Sequence, residues 1–146
     1  MQKDEMRIPY VGLCKGVAGA LTALAVSAEM AELEVKAMAE ADLQGVPSHG
    51  VRMLPGLLQA IRDGRVKADP NIRLIREFGA TCLLDGDNGP GRTVACRAMD
   101  LAVLRAKQFG TGVCLAIRAS HWGRAHYSRP EIGAALTPIP VNSLLP

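Results

Sequence analysis

Aromatic residues are scarce in this sequence: they make up 3% of its 146 residues, whereas hydrophobic residues make up 49%. A core of ordinary size must therefore consist of aliphatic side chains and alanine, and alanine favours helices. So large an apolar fraction excludes a chain that is disordered by composition. The length is sufficient for one compact domain with a core of its own.

Paired cysteines are missing as well. Cys14, Cys82, Cys96 and Cys114 lie far apart and form no Cys-X-X-Cys motif, which argues against zinc and thioredoxin-like sites. Cys82 and Cys114 lie in apolar runs that predict strands, a placement typical of buried free thiols in a reducing compartment. No long apolar segment precedes Cys14, and the apolar stretch 16–26 is too short to span a membrane. We therefore predict a cytoplasmic protein without a membrane span or a bound metal.

The sequence has no basic stripe either. The net charge is +3 and the 17 lysines and arginines are scattered, so a nucleic-acid partner is not expected. The glycine-rich segment 86–91 leads into a predicted helix, as phosphate-binding loops do, but it matches neither Gly-X-Gly-X-X-Gly nor the P-loop pattern. A tight turn followed by a capped helix is the simpler interpretation.

The spacing of the apolar residues predicts an α+β fold, with a helical layer first and then strand, strand, helix and strand. Ser27 is the predicted N-cap of the second helix and Ser48 that of the third, where Pro55 should kink the helix or split off its first turn. The predicted helices cover residues 10–26, 28–43, 49–63 and 92–109; the predicted strands cover residues 72–78, 80–84 and 113–119, the last of them buried.

A histidine stands at the start of the third predicted helix, in the segment Ser48-His49-Gly50-Val51-Arg52. An imidazole there can give or take a proton near neutral pH, and Ser48 can fix its tautomer by a hydrogen bond. Arg52, one helical turn further on, can bind a carboxylate through two N–H groups. A capped helix with a solvated histidine and arginine accounts for the same residues, so the spacing alone leaves both interpretations open.

A second polar segment, Ser120-His-Trp-Gly-Arg-Ala-His-Tyr127, follows the last predicted strand, and ligands bind at the carboxyl ends of strands in α/β sheets. His121 and His126 have no carboxylate or thiol at metal-ligand spacing, which argues against a metal site. Arg124 and the backbone around Gly123 can hold a phosphate. An ordinary surface loop anchored by its tryptophan is the alternative.

Taken together, these motifs resemble the malate/L-lactate dehydrogenase family, which includes ureidoglycolate, sulfolactate, diketogulonate and piperideine-carboxylate oxidoreductases. A single Ser-His-Gly tripeptide is weak support, but a whole set of motifs agrees in order and spacing over residues 28–128. The matching residues are Ala41-Asp42, Gly45, Ser48-His49-Gly50, Leu54-Pro55, Gly64, Leu84-Asp85-Gly86-Asp87, Gly89, Gly91, Gly110, Ser120-His121-Trp122-Gly123 and Tyr127.

The resemblance implies a fold of the family's own kind, which is not a Rossmann fold. It divides the chain into a helical N-terminal region (1–66), the α+β part of a cofactor-binding domain (67–128) and a divergent proline-rich tail (129–146). The implied reaction transfers a hydride between NAD(P)H and a 2-oxo acid, a 2-hydroxy acid or a cyclic imino acid. NADP or NAD is the implied cofactor, and full-length relatives are expected to be homodimers.

The resemblance also implies a role for each matching site residue. Ser48 and His49 are the expected catalytic pair, with His49 as the proton donor. Arg52 and His121 are the expected substrate-binding residues. The residues expected to bind the cofactor are Trp122, Gly123, Arg124, Ala125 and His126.

Two departures from the family pattern bear on these roles. Many members carry the substrate-binding arginine four residues after the catalytic histidine, where this chain has Met53. Arg52 comes three residues after the histidine, which is also one helical turn. Beyond Tyr127 the family continues into a helix and a strand, whereas residues 137–146 here are rich in proline, which suits neither. We therefore expect a truncated chain that is inactive by itself; the alternative is a non-catalytic remnant that acts as a binding or interaction module.

Overall fold

Helices come first in this fold, and a small sheet with one further helix follows. The computed structural model describes residues 8–123. In chain order the elements are α1 (Tyr10–Thr22), α2 (Ala28–Leu43), the 3₁₀ turns Pro47–His49 and Val51–Met53, α3 (Leu54–Arg62), β1 (Arg73–Phe78), β2 (Thr81–Gly89), α4 (Gly91–Phe109) and β3 (Val113–Ala119). This order confirms the predicted α+β fold class.

An aliphatic cluster holds the helical layer together. Leu21 of α1 and Met38 of α2 are completely buried in it, and Ile61 of α3 packs against them. Burying one such side chain stabilises the fold by about 1.5–3 kcal/mol. The members of the cluster are aliphatic residues, alanine and methionine, as expected of a chain with few aromatic residues.

The first two helices follow the sequence prediction closely. The side-chain hydroxyl of Ser27 accepts a hydrogen bond from the Met30 N–H at 3.3 Å, so Ser27 is the N-cap of α2. Helix α1 ends at Thr22 and not at residue 26. The chain turns there through Ala25, whose backbone is left-handed with a φ of 62°.

The prediction that Ser48 caps a helix is wrong, whereas the split expected near Pro55 is confirmed. Two 3₁₀ turns occupy this segment, with Gly50 in an extended conformation between them, and α3 begins only at Leu54. Pro55 therefore lies in the first turn of α3, where its missing N–H costs no hydrogen bond. The hydroxyl of Ser48 does not cap a helix but lies 3.1 Å from Nδ1 of His49.

The sheet has the order β1-β2-β3, in which β1 and β2 are antiparallel and β2 and β3 are parallel. Strands β1 and β2 form a hairpin, but the tight turn predicted for the glycine-rich segment is wrong, because β2 continues to Gly89. Asp87 and Asn88 have left-handed backbones within it, and the pairing with β3 shifts register between Asp85 and Gly89. The glycine-rich segment is thus a bulged strand end that leads directly into α4.

The prediction that β3 is a buried strand is also wrong. Helix α4 covers one face of the sheet, while Val113, Leu115 and Ile117 on the other face are 48%, 46% and 36% exposed. Cys82 is buried, as predicted, but its strand neighbour Cys114 is only half-buried. Within residues 8–123 the sheet therefore has an open apolar face.

Two kinds of feature are absent from the described residues, a membrane-spanning helix and a cluster of metal-binding side chains. No helix between residues 8 and 123 is long and apolar enough to cross a membrane. These residues also contain no group of three or more histidine, cysteine, aspartate or glutamate side chains that could hold a metal ion.

Gly112 connects α4 to β3 at a point where two backbones nearly touch, and this predicts a stability difference between two glycines. A Cβ at Gly112 would overlap the Ala102 carbonyl of α4, whereas a Cβ at Gly56 of α3 would meet nothing within 4 Å. We expect Gly112→Ala to destabilise the chain by about 1–3 kcal/mol, and Gly56→Ala to stabilise it by about 0.5–1 kcal/mol. Urea unfolding of both variants measures this, and equal stabilities would contradict the packing described here.

Candidate active site

Asp42 near the end of α2 fixes the turn that carries His49. Its Oδ2 accepts a hydrogen bond from the Val51 N–H at 2.9 Å. The carboxylate lies so close to Gly50 that a Cβ there would overlap it, so a larger residue at this position would displace the carboxylate. The two 3₁₀ turns around His49 are thus held by a side chain from another element rather than by a helix of their own.

The structure brings His49 and His121 together. Their ring centroids are 5.6 Å apart and the ring planes are tilted by 32°. His121 follows β3, and its neighbour Ser120 accepts a hydrogen bond from the Gly91 N–H at 2.8 Å, which ties this segment to the start of α4. Ser48 lies on the Nδ1 side of the His49 ring, which directs Nε2 away from the serine.

A buried ion pair that the sequence reasoning missed lies behind the two histidines. Arg92 donates from Nη1 to Oε2 of Glu34 at 3.2 Å, and the two side chains are 5% and 0% exposed. Glu34 also accepts hydrogen bonds from the backbone N–H of Thr93 at 2.9 Å and from its hydroxyl at 3.2 Å. Burial raises the pKa of Glu34 above its usual value, while Arg92 and Thr93 act in the opposite direction.

One sequence signal could have revealed Glu34. Ala31, Glu34, Met38 and Ala41 recur at helical spacing on α2, and all four are buried. A carboxylate within such an apolar stripe requires a buried partner. Arg92 offers a similar but shorter signal, because Cys96 and Met99 follow it at helical spacing on the buried face of α4.

Arg92 also contacts the His49 turn directly. Its Nη2 donates to the His49 carbonyl at 3.2 Å and lies 3.7 Å from Sδ of Met53. A Cβ at Gly123, whose φ is 91°, would lie 3.1 Å from Nε of Arg92. One guanidinium thus contacts the 3₁₀ turns and the segment after β3.

His121 is kept in its neutral form by its surroundings. Partial burial, the positive charge of Arg92 and the neighbouring His49 lower the pKa of His121 below its ordinary value. This lowered pKa favours the neutral imidazole, which has one nitrogen that donates and one that accepts.

The other predicted site residues are less closely grouped. Arg52 is exposed, and within the described part of the chain it forms no ion pair; Met53, at the position of the family's arginine, is the side chain that contacts Arg92. Trp122 is half-buried and Gly123 is buried. Arg124, Ala125 and His126 lie outside the described residues.

Comparison with known proteins identifies the family to which this chain belongs. A family model described as malate/L-lactate dehydrogenase matches residues 8–132. The chain belongs to this family. Among the family's members, the malate dehydrogenase of Pyrococcus horikoshii is 38% identical over 127 residues, which is 87% of this chain and 35% of that protein. The L-sulfolactate dehydrogenase of Methanocaldococcus jannaschii is 37% identical over 102 residues, or 70% of this chain and 30% of that one.

Solved structures agree with this assignment to the malate/L-lactate dehydrogenase family. The structure of the Pyrococcus horikoshii malate dehydrogenase superposes with a TM-score of 0.82 at 40% identity, covering 85% of this chain and 36% of that one. The Methanocaldococcus jannaschii sulfolactate dehydrogenase gives a TM-score of 0.81. The chain thus spans about a third of the length of the family members that it matches.

The contact of Asp42 with the His49 turn leads to a prediction about local stability. Asp42→Ala leaves the half-buried Val51 N–H without its acceptor, so we expect a loss of about 1 kcal/mol and roughly fivefold faster exchange of the Val51 amide. Hydrogen exchange followed by NMR measures this, with Ala at the exposed Asp69 as the control. Unchanged exchange at Val51 in Asp42→Ala would show that this contact does not hold the turn.

Proposed function

We propose that this chain forms the acid–base part of an NAD(P)-dependent oxidoreductase that interconverts a 2-oxo acid and a 2-hydroxy acid, or reduces a cyclic imino acid. The observation that carries the proposal is the pairing of His49 with His121, with Ser48 on one side of the His49 ring. Membership of a family whose relatives are named malate and L-sulfolactate dehydrogenases supports it, since malate and sulfolactate are both 2-hydroxy acids.

The proton chemistry is assigned to His49. Ser48 is hydrogen-bonded to Nδ1, which leaves Nε2 as the nitrogen that exchanges a proton with the substrate. In reduction, Nε2 gives its proton to the carbonyl oxygen at C2, and in oxidation it takes the proton from the hydroxyl group. His121, neutral beside it, is suited to hydrogen-bond the same oxygen, and Arg52 is exposed and able to bind the carboxylate.

The residues present fit a nicotinamide cofactor at the end of β3. Gly123 lies against Arg92 and has a left-handed backbone, so a side chain at this position would be strained and would crowd the guanidinium. Trp122 and Gly123, followed by Arg124, Ala125 and His126, are the residues that we assign to it. When bound, NADP or NAD supplies or accepts the hydride, and this chain supplies binding, orientation and the proton.

Location and assembly follow from the same proposal. We place the protein in the cytoplasm and its full-length form in a homodimer with a small-molecule substrate. The open apolar face of the sheet, with Val113, Leu115 and Ile117, supports association with further polypeptide.

That open face also favours a second candidate function. A chain that presents an apolar sheet face but does not bind a nicotinamide would be an interaction module that pairs with other family members. Cofactor binding separates the two functions, because only the enzyme requires it.

The single tryptophan of the chain reports on cofactor binding. Trp122 lies between His121 and Gly123, and reduced nicotinamide absorbs where tryptophan emits. We expect NADH or NADPH to quench Trp122 in the purified chain and to show sensitised nicotinamide emission that excess NAD⁺ or NADP⁺ removes. If neither reduced cofactor produces a saturable signal, the enzyme proposal fails and the interaction module replaces it.

Removing the imidazole of His49 tests its catalytic role. The chain alone should show no turnover, because hydride transfer needs both reactants held in near-attack geometry. The test therefore uses a chimera in which residues 8–123 are joined to the rest of the Pyrococcus horikoshii malate dehydrogenase. In this chimera His49→Ala should lower kcat by about 10²–10⁴ with little change in cofactor affinity. Steady-state kinetics with malate measures this, with Gln44→Ala on the exposed end of α2 as control. Near-normal turnover of His49→Ala would exclude His49 from the mechanism.

A further inference from the structure

Arg92 occupies an unusual position relative to the two histidines. Its side chain is 5% exposed, so it is shielded from bulk solvent, yet its guanidinium bonds to the His49 carbonyl at 3.2 Å and approaches Gly123. A single cation therefore contacts both segments that supply the imidazoles. Because it is buried, its charge acts on its neighbours with little screening.

Resting on the proposed dehydrogenase function, we propose that Arg92 is a positioning residue of this site. It holds the turn of His49 and keeps a positive charge beside His121, which disfavours a proton on the His121 ring. His49 is then the proton carrier, and His121 stays a neutral hydrogen-bonding partner for the substrate oxygen.

The charges that face His121 are consistent with this role. Arg92 faces it from α4 and His49 faces it from the 3₁₀ turn, and both lower the pKa of the His121 ring in addition to its burial. Glu34, on α2, is bonded to Arg92. A proton on His121 would place a second positive charge close to Arg92, which Coulomb repulsion disfavours.

The shape of the guanidinium gives Arg92 a second role, which is to join two parts of the site. Its Nη1 is bonded to Glu34 and its Nη2 to the His49 carbonyl, so the planar fork joins α2 to the His49 turn. A lysine has the same charge but no fork, and cannot make both bonds in this arrangement. Substitutions at position 92 can therefore separate the effect of the positive charge from the effect of the planar fork.

NMR titration of the histidine rings in the complete 146-residue chain tests the charge. Either single variant, Arg92→Gln or Glu34→Gln, would leave its partner buried and unpaired and destabilise the fold, so the test compares the wild-type chain with the double variant Glu34→Gln/Arg92→Gln, in which neither side chain of the pair is charged. We expect the titration midpoint of His121 to be higher in the double variant. Arg97→Gln, which removes an exposed arginine of the same helix, should leave the midpoint at its wild-type value.

Equal His121 midpoints in the wild-type chain and the double variant would overturn the proposal. In Arg92→Lys we expect the His121 midpoint to stay low, because the charge is retained. We also expect faster amide exchange in residues 47–53, because the fork is lost. A His121 midpoint as high as in the double variant would refute the charge effect. The titration uses neither cofactor nor substrate. A negative result in the titration therefore contradicts the role of Arg92, whereas a negative result in the Trp122 measurement contradicts the proposed function.

Discussion

Glu34 and Arg92 form an ion pair that lies almost completely out of contact with solvent, and the rest of the site depends on it. The carboxylate comes from the middle of α2 and the guanidinium from the first turn of α4, so the pair joins the helical layer to the sheet region. Removing one member of such a pair typically costs about 3–5 kcal/mol, because the other is left buried and unpaired. The guanidinium of this pair also bonds to the His49 turn, which no apolar pair could do.

Three separate parts of the chain meet around this pair. Asp42 holds the 3₁₀ turns from α2, Ser120 accepts a hydrogen bond from the first residue of α4, and Arg92 contacts both sides. His49 and His121 face each other as a result. A histidine on a short turn would be mobile by itself, so the precision needed for proton transfer comes from these contacts.

Local signals in the sequence were sufficient for the helices with clear boundaries. The Ser27 cap of α2 and the left-handed Gly110 after α4 were both predictable, because each depends on residues within one turn. The His49 turns were not, because their conformation depends on Asp42 and on tertiary contacts. The bulge at Asp87 and Asn88 could likewise not be predicted from the sequence, because its register is set by pairing with β3. For the site, motif resemblance indicated His49 and His121, but only the fold brings them together and adds Arg92.

The central claim is that this chain brings His49 and His121 together by its own contacts. A nuclear Overhauser effect between their ring protons, recorded on the 146-residue chain without ligand, tests it most directly. With ring centroids 5.6 Å apart, the account predicts a clear cross-peak between the two imidazoles. Well-dispersed amide signals from α2 and α4 without that cross-peak would mean that the chain folds but the histidines do not meet, which would contradict the account.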